Sequence, residues 1–169
     1  MPITVKGNTL EAIKSLRSAL FNTPNQYDIA FSPNNKTGKG TGQLVGGNLS
    51  ILYSLNGSPS AIDTAGKILF IEDLDEYLYH IDRMMMNLKR NGYFNRLNGL
   101  IVGGMTKMHD NTIPFGKTAQ EIILDIVSEY NFPVCFDFPA GHIDDNRALV
   151  FGRKINLTVA HKNTTVTFV

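Results

Sequence analysis

Gly66-Lys67-Ile68-Leu69-Phe70-Ile71-Glu72-Asp73 is the stretch on which the fold turns. Its four consecutive apolar residues are too few for a helix and rich in strand formers, so they read as a strand buried on both faces, as in a parallel sheet covered on each side. Downstream, Leu78, Ile81, Met84, Met85 and Leu88 fall on one helical face over 76–91, and Asn91-Gly92 supplies the stop. Met84, Met85 and Met86 cannot all face one way; they read as core filling, with Met86 outward or toward a partner. A second buried strand is expected over 97–102, closed by Gly103-Gly104, then a helix over 118–130 carrying Ile122, Ile123, Ile126 and Val127, then a third strand over 133–136. Strands alternating with helices imply parallel pairing through right-handed crossovers.

Upstream, Gly42 to Ser50 reads as a strand running into a glycine turn at Gly46-Gly47, followed by a short helix marked by Leu49, Leu52 and Tyr53 and ending at Gly57. Before it, residues 22–42 are rich in Asn, Pro, Gly, Lys and Thr and suggest turns and a short strand. An amphipathic helix over 9–21 precedes them: Asn8 stands three positions before Glu11 as a capping pair, and Leu10, Ile13, Leu16 and Leu20 recur at helical steps. The tail differs in period. Ala148 to Phe151 and the alternating Ile155, Leu157, Val159, Val166 and Phe168 flank Lys162-Asn163 as a terminal antiparallel hairpin. The expected fold is α/β: a mixed, mainly parallel sheet with flanking helices and a C-terminal antiparallel hairpin.

Composition narrows the function. With 16 basic and 15 acidic residues the net charge is +1, and the cations form no stripe able to follow a phosphate backbone, so nucleic acid is not an expected partner. No apolar run approaches the ~20 residues that cross a bilayer, and the N-terminus lacks a signal-peptide core, so no membrane partner and a cytoplasmic location are expected. Cys135 is the lone cysteine; it fits a reducing compartment and reads as a small core residue. Charged residues are 18%, below the ~25% of an average soluble domain, consistent with a surface that meets another domain or subunit.

Chemistry in open α/β sheets gathers beyond the carboxyl ends of the parallel strands. Two residues stand there. Glu72 ends the doubly buried strand, where a carboxylate is costly unless a charged or hydrogen-bonding group meets it; its bland alternative is a helix cap. His142 follows Gly141 just beyond the third strand, where a glycine permits a sharp turn. A histidine oriented by a carboxylate is two thirds of a hydrolytic triad. The third member is missing: no G-x-S-x-G occurs, and Ser50, Ser54, Ser58 and Ser60 lie in or after a helix. His80, His109 and His161 are weaker candidates, no metal-ligand spacing is present, and Lys36 to Gly40 lacks the features of a phosphate loop, so neither metal nor cofactor is expected.

Val45-Gly46-Gly47-Asn48-Leu49-Ser50, the Gly66 to Asp73 stretch with Ile81-Asp82-Arg83-Met84 after it, and Gly141-His142 together resemble, in order and separation, the C-terminal half of the LD-carboxypeptidase family over 42–150. That family contains muramoyltetrapeptide carboxypeptidases and microcin-immunity hydrolases. The resemblance implies a swivelling β/β/α-type domain over 42–169, preceded at 1–41 by a helix and connecting segment. It implies a Ser-His-Glu peptidase in which Glu72 and His142 are catalytic, while the serine and oxyanion hole belong to an N-terminal flavodoxin-like domain without a counterpart in these residues. The chain is accordingly expected to be an excised C-terminal domain, inactive alone. The implied substrate is the L-D amide of a murein tetrapeptide released in wall recycling. Gly46, Gly47 and Asn48 are expected to help shape the substrate cleft, with a purely structural turn as the alternative. The family often dimerises, so a homodimer is among the expected assemblies. Two other readings stand beside this one: a non-catalytic binding module of the same fold, and a microcin-immunity hydrolase of a peptide-nucleotide.

Overall fold

The computed structural model describes residues 7–21, 23 and 26–169. Its elements in chain order are α1 (Leu10–Leu20), β1 (Gln26–Ala30), β2 (Gly38–Asn48), α2 (Leu49–Leu55), β3 (Ile68–Leu74), α3 (Leu78–Arg90), β4 (Gly99–Thr106), α4 (Ala119–Val127), β5 (Val134–Cys135), β6 (Lys154–Val159) and β7 (Asn163–Phe168). The strands form one mixed sheet in the order β1-β7-β6-β2-β3-β4-β5. β2, β3, β4 and β5 are parallel neighbours, and β6 and β7 form the expected hairpin, with β1 antiparallel to β7. β2 joins the two halves: Gly38 to Gln43 pair antiparallel with β6, and Leu44 to Asn48 pair parallel with β3.

Alternation along β3 sends its side chains into two separate cores. Leu69 and Ile71 pack with α2, α3 and α4 through Leu52, Met84, Met85, Leu88 and Ile123. Ile68 and Phe70 pack on the other side with Ile101, Cys135, Phe138, Leu157 and Val166, so the antiparallel half curls over the face that the helices leave bare. Both faces of β3 are therefore sealed, as its apolar run demands. Met86, half-buried, packs against the helical core.

Several boundaries differ from expectation for identifiable reasons. Thr9, not Asn8, caps α1, its hydroxyl accepting from the Ala12 N–H. The side of α1 facing the body is Ala12 and Ser15, while Leu10, Ile13, Leu16 and Leu20 are exposed. Gly46 and Gly47 form no turn; β2 stays extended through them into α2, and a Cβ on Gly46 would lie 2.0 Å from the Phe70 carbonyl oxygen. β4 runs past Gly103-Gly104 to Thr106, because the missing side chains let another segment lie on the strand: the Gly104 N–H donates to the Ala140 carbonyl at 2.9 Å. α4 stops at Val127, where the chain turns to stack Tyr130 and Phe132 beside Phe94. β5 is only two residues long, since the Phe136 N–H donates to the Asn35 side chain instead of to a strand. Residues 148–151 form no strand; the Ala148 N–H donates to Ser15 Oγ and its carbonyl accepts from Tyr27. Part of the connection read over 22–42 lies outside the described residues. The rest contains β1 and the start of β2.

Candidate active site at the carboxyl end of the parallel strands

Glu72 and Asp73 are adjacent in β3 and therefore point to opposite faces. Glu72 follows Phe70 toward the segment after β5, and Asp73 follows Ile71 toward α2. Each carboxylate is buried, and each meets a partner from a different part of the chain.

On the first face, His142 Nδ1 lies 2.7 Å from Glu72 Oε2. The loop carrying the histidine is pinned by backbone bonds from the Phe138 N–H to the Val102 carbonyl and from the Gly104 N–H to the Ala140 carbonyl. The Gly141 N–H donates to Asn146 Oδ1, and Thr106 Oγ1 donates to the His142 carbonyl. Gly141 has φ +109, and a Cβ there would sit 2.8 Å from Glu72 Oε2. Glycine is thus required twice, for conformation and for space. An ionised carboxylate only accepts, so the neutral imidazole that fits this contact carries its proton on Nδ1 and leaves the Nε2 lone pair available. The Glu72 side chain is 8% exposed but that of His142 is 51% exposed, and among the described residues Nε2 has no hydrogen-bond partner. A carboxylate that holds one nitrogen of a half-exposed ring leaves the other free to act as a general base.

On the second face, Asp73 accepts four hydrogen bonds: Asn48 Nδ2 and the Leu74 N–H to Oδ1, and the Ser50 N–H and Oγ to Oδ2. Asn48 also caps α2, its Oδ1 accepting from the Ile51 N–H. Ser50 Oγ is 2.9 Å from Glu76 Oε1, and Glu76 Oε2 meets His80 Nδ1 at 2.6 Å. Among the described residues no histidine is within hydrogen-bonding distance of Ser50 Oγ, whose contacts there are Asp73, Glu76 and Met84, so no imidazole is placed to deprotonate it. Gly46, Gly47 and Asn48 pair with Phe70, Ile71 and Glu72, so they lie beside the end of β3 that bears Glu72.

The remaining candidates fall apart from the Glu72–His142 pair. His109 contacts Asp75 at 2.5 Å in the loop after β4, and His161 sits exposed in the β6–β7 turn. Burial pushes the Cys135 thiol up to about 12, which keeps it protonated and unreactive at neutral pH. Among the described residues no group of three His, Cys, Asp or Glu could hold a metal ion. The Asp73–Asn48–Ser50 network was missed by sequence reasoning. Its one legible signal was the second acidic residue of Glu72-Asp73, which alternation must send to the opposite face.

Residues 41–157 match the family model described as the LD-carboxypeptidase C-terminal domain. The chain belongs to that family. It is 37% identical over 133 residues to a probable murein peptide carboxypeptidase of Bacillus subtilis (strain 168), covering 76% of this chain and 40% of that protein. To the microcin C7 self-immunity protein MccF of Escherichia coli it is 29% identical over 136 residues, covering 78% and 38%. The fold matches a crystal structure of muramoyltetrapeptide carboxypeptidase from Oxalobacter formigenes with TM-score 0.86 and 22% identity, over 95% of this chain and 55% of that one. Within the family, then, this chain spans about 40% of the length of the curated relatives it matches.

Proposed function

We propose that this domain supplies the histidine and glutamate of a Ser-His-Glu carboxypeptidase that cleaves the L-D amide of murein tetrapeptides, with the serine and oxyanion hole contributed by an N-terminal domain outside these residues. The reading is carried by one observation: His142 Nδ1 meets a buried carboxylate, while its side chain is half-exposed and Nε2 is unpartnered among the described residues. His142 takes the proton of the incoming serine hydroxyl through Nε2 and returns it to the departing D-amino acid's amine. Glu72 fixes the tautomer and stabilises the imidazolium. The Gly46-Gly47-Asn48 edge of β2 borders the cleft in which the substrate lies. By itself the chain is inactive, having no serine placed against a histidine among its described residues. The family relationship supports a murein peptide as substrate; the MccF relationship keeps a peptide-nucleotide conjugate as the second reading.

The test joins this chain to the unmatched portion of the Bacillus subtilis relative, in trans or as a fusion, and follows release of D-alanine from murein tetrapeptide. Cleavage is expected with the intact pair. His142→Ala should abolish it, whereas His109→Ala and His161→Ala should not. Loss of activity in the latter two with retention in the first would overturn the assignment. A complex that forms and cleaves neither conjugate nor tetrapeptide would make this a non-catalytic module.

A further inference from the structure

The amino ends of β3 and β4 carry polar groups that the Glu72–His142 pair does not use. The loop entering β3 and the loop from α3 to β4 meet there and are tied together: Thr64 Oγ1 donates to the Tyr93 carbonyl and the Gly66 N–H to the Arg96 carbonyl, both at 2.7 Å. Between the two loops lies a hollow of about 140 Å³, whose walls include Asp63, Thr64, Asn91, Tyr93 and Arg96. It has room for several waters or one small solute. Because β3 runs from Ile68 to Leu74, this hollow stands at the opposite end of the strand from Glu72.

The walls carry groups that await a partner. Tyr93 is 6% exposed, and its hydroxyl is buried with no hydrogen-bond partner among the described residues. A native fold keeps such a group where something outside the chain meets it. Burial pushes the phenol up, so it holds its proton at neutral pH and can donate. The Ala65 N–H, Lys67 and, more weakly, Arg96 hold the Asp63 carboxyl below its ordinary value, so it is ionised. Asp63 pairs with Lys67 at 3.4 Å, whereas exposed Arg96, close enough to be felt, forms no ion pair among the described residues. Opposite charges thus border one cavity without touching.

We propose that this hollow binds a small α-amino acid as its zwitterion, the carboxylate received by the Arg96 guanidinium and the Tyr93 hydroxyl and the ammonium by Asp63. The charges select that class. A simple anion would meet the Asp63 carboxylate and a simple cation the Arg96 guanidinium, while a zwitterion offers each its opposite. The small volume favours glycine or alanine over bulkier members. Nothing in this assignment depends on the peptidase reading.

The test is a nitrogen–proton NMR titration of the 169-residue chain with glycine, D-alanine, L-alanine, acetate and methylamine. Glycine or an alanine should shift the amides of residues 62–66 and 91–96 saturably, with acetate and methylamine binding at least tenfold more weakly. Tyr93→Phe and Arg96→Gln should each weaken that binding at least tenfold, and His142→Ala should leave it intact. Thermal melting should match the parent for both, since one removes an unpaired hydroxyl and the other alters an exposed side chain; if Tyr93→Phe fails to fold, Arg96→Gln decides. No saturable shift from any of the three amino acids would overturn the proposal and leave the hollow to water. Acetate binding as tightly as glycine would overturn it in favour of a plain anion. Binding lost in His142→Ala but untouched by Tyr93→Phe and Arg96→Gln would overturn it by placing the amino acid at the Glu72–His142 pair.

Discussion

Replacing Gly141 by alanine is the sharpest available perturbation of the Glu72–His142 pair, because it touches neither side chain chemically. Two costs act together. At φ +109 an L-residue is strained by roughly 1–3 kcal/mol. The new methyl would also stand 2.8 Å from Glu72 Oε2, 2.9 Å from its Cβ and 3.0 Å from its Cγ, so the glutamate or the loop must yield by about half an ångström. Both are held: Glu72 pairs with Asn48 of β2, beside a register shift against β4, and Gly104 and Asn146 bond the loop. The lower entropy of the unfolded alanine chain returns about 0.4–1 kcal/mol. Strain and overpacking at about 1–3 kcal/mol each, less that return, leave a net loss of about 1–5 kcal/mol, a fall in Tm of roughly 2–20 °C for a domain of this size. The assay is thermal unfolding of the chain alone, with nitrogen NMR of the His142 ring reporting which nitrogen is protonated. The Nδ1–H tautomer should lose its dominance as the bond to Glu72 lengthens. A variant melting within 1 °C of the parent and keeping that tautomer would refute the argued fit of Gly141 against Glu72.

Three further outcomes follow from the same structure. Glu72→Gln retains an acceptor for Nδ1–H but loses the charge, so unfolding should shift little while turnover of the assembled enzyme drops about 10⁴-fold; full activity would remove Glu72 from the mechanism. Asp73→Ala strands the donors of Asn48, Ser50 and Leu74 and should lower stability by about 3 kcal/mol or more, seen as a clear loss in denaturant midpoint. An unchanged midpoint would show that the clamp is idle. The hydrogen bond from Arg147 holds the Asp145 carboxyl below its ordinary value. A depressed carboxylate stabilises the fold above its unfolded pKa of about 4 and loses that contribution as the pH falls through its folded value. Hydrogen exchange at α1, which Asp145 anchors through Thr9, should therefore quicken below about pH 4, and Asp145→Asn should remove that dependence. Acid-independent exchange at α1 would contradict it.

How much of this was legible beforehand depends on whether the signal was local. Ile68 to Ile71 announced a strand closed on both sides, and β3 has that environment, because four β-favouring residues in a row have no solvent face to offer. The helices over Leu78–Arg90 and Ala119–Val127 followed from period, and the tail hairpin from alternation. Glu72 and His142 were singled out because strand ends and glycine loops are where backbone can aim a side chain. Their meeting was a different matter: a 2.7 Å contact across seventy positions depends on the register of β3 with β4 and on where the loop after β5 comes to rest. As sequence, Gly103 and Gly104 signal a stop, whereas their bare backbone is what lets that loop settle on β4. The apolar stripe of α1 was visible as a pattern, but periodicity names a face without saying what covers it.

Sequence by itself thus determined the alternation of elements and the two-sided burial of β3, since each follows from side chains within a few residues of one another. Tertiary structure alone decided that Glu72 and Asp73 serve different faces, that Ser50 is bound by carboxylates instead of a base, and that α1 turns its leucines outward. Those outcomes depend on which distant segments become neighbours, and a hydrogen bond between distant residues has no signature in the chain before the sheet brings them together.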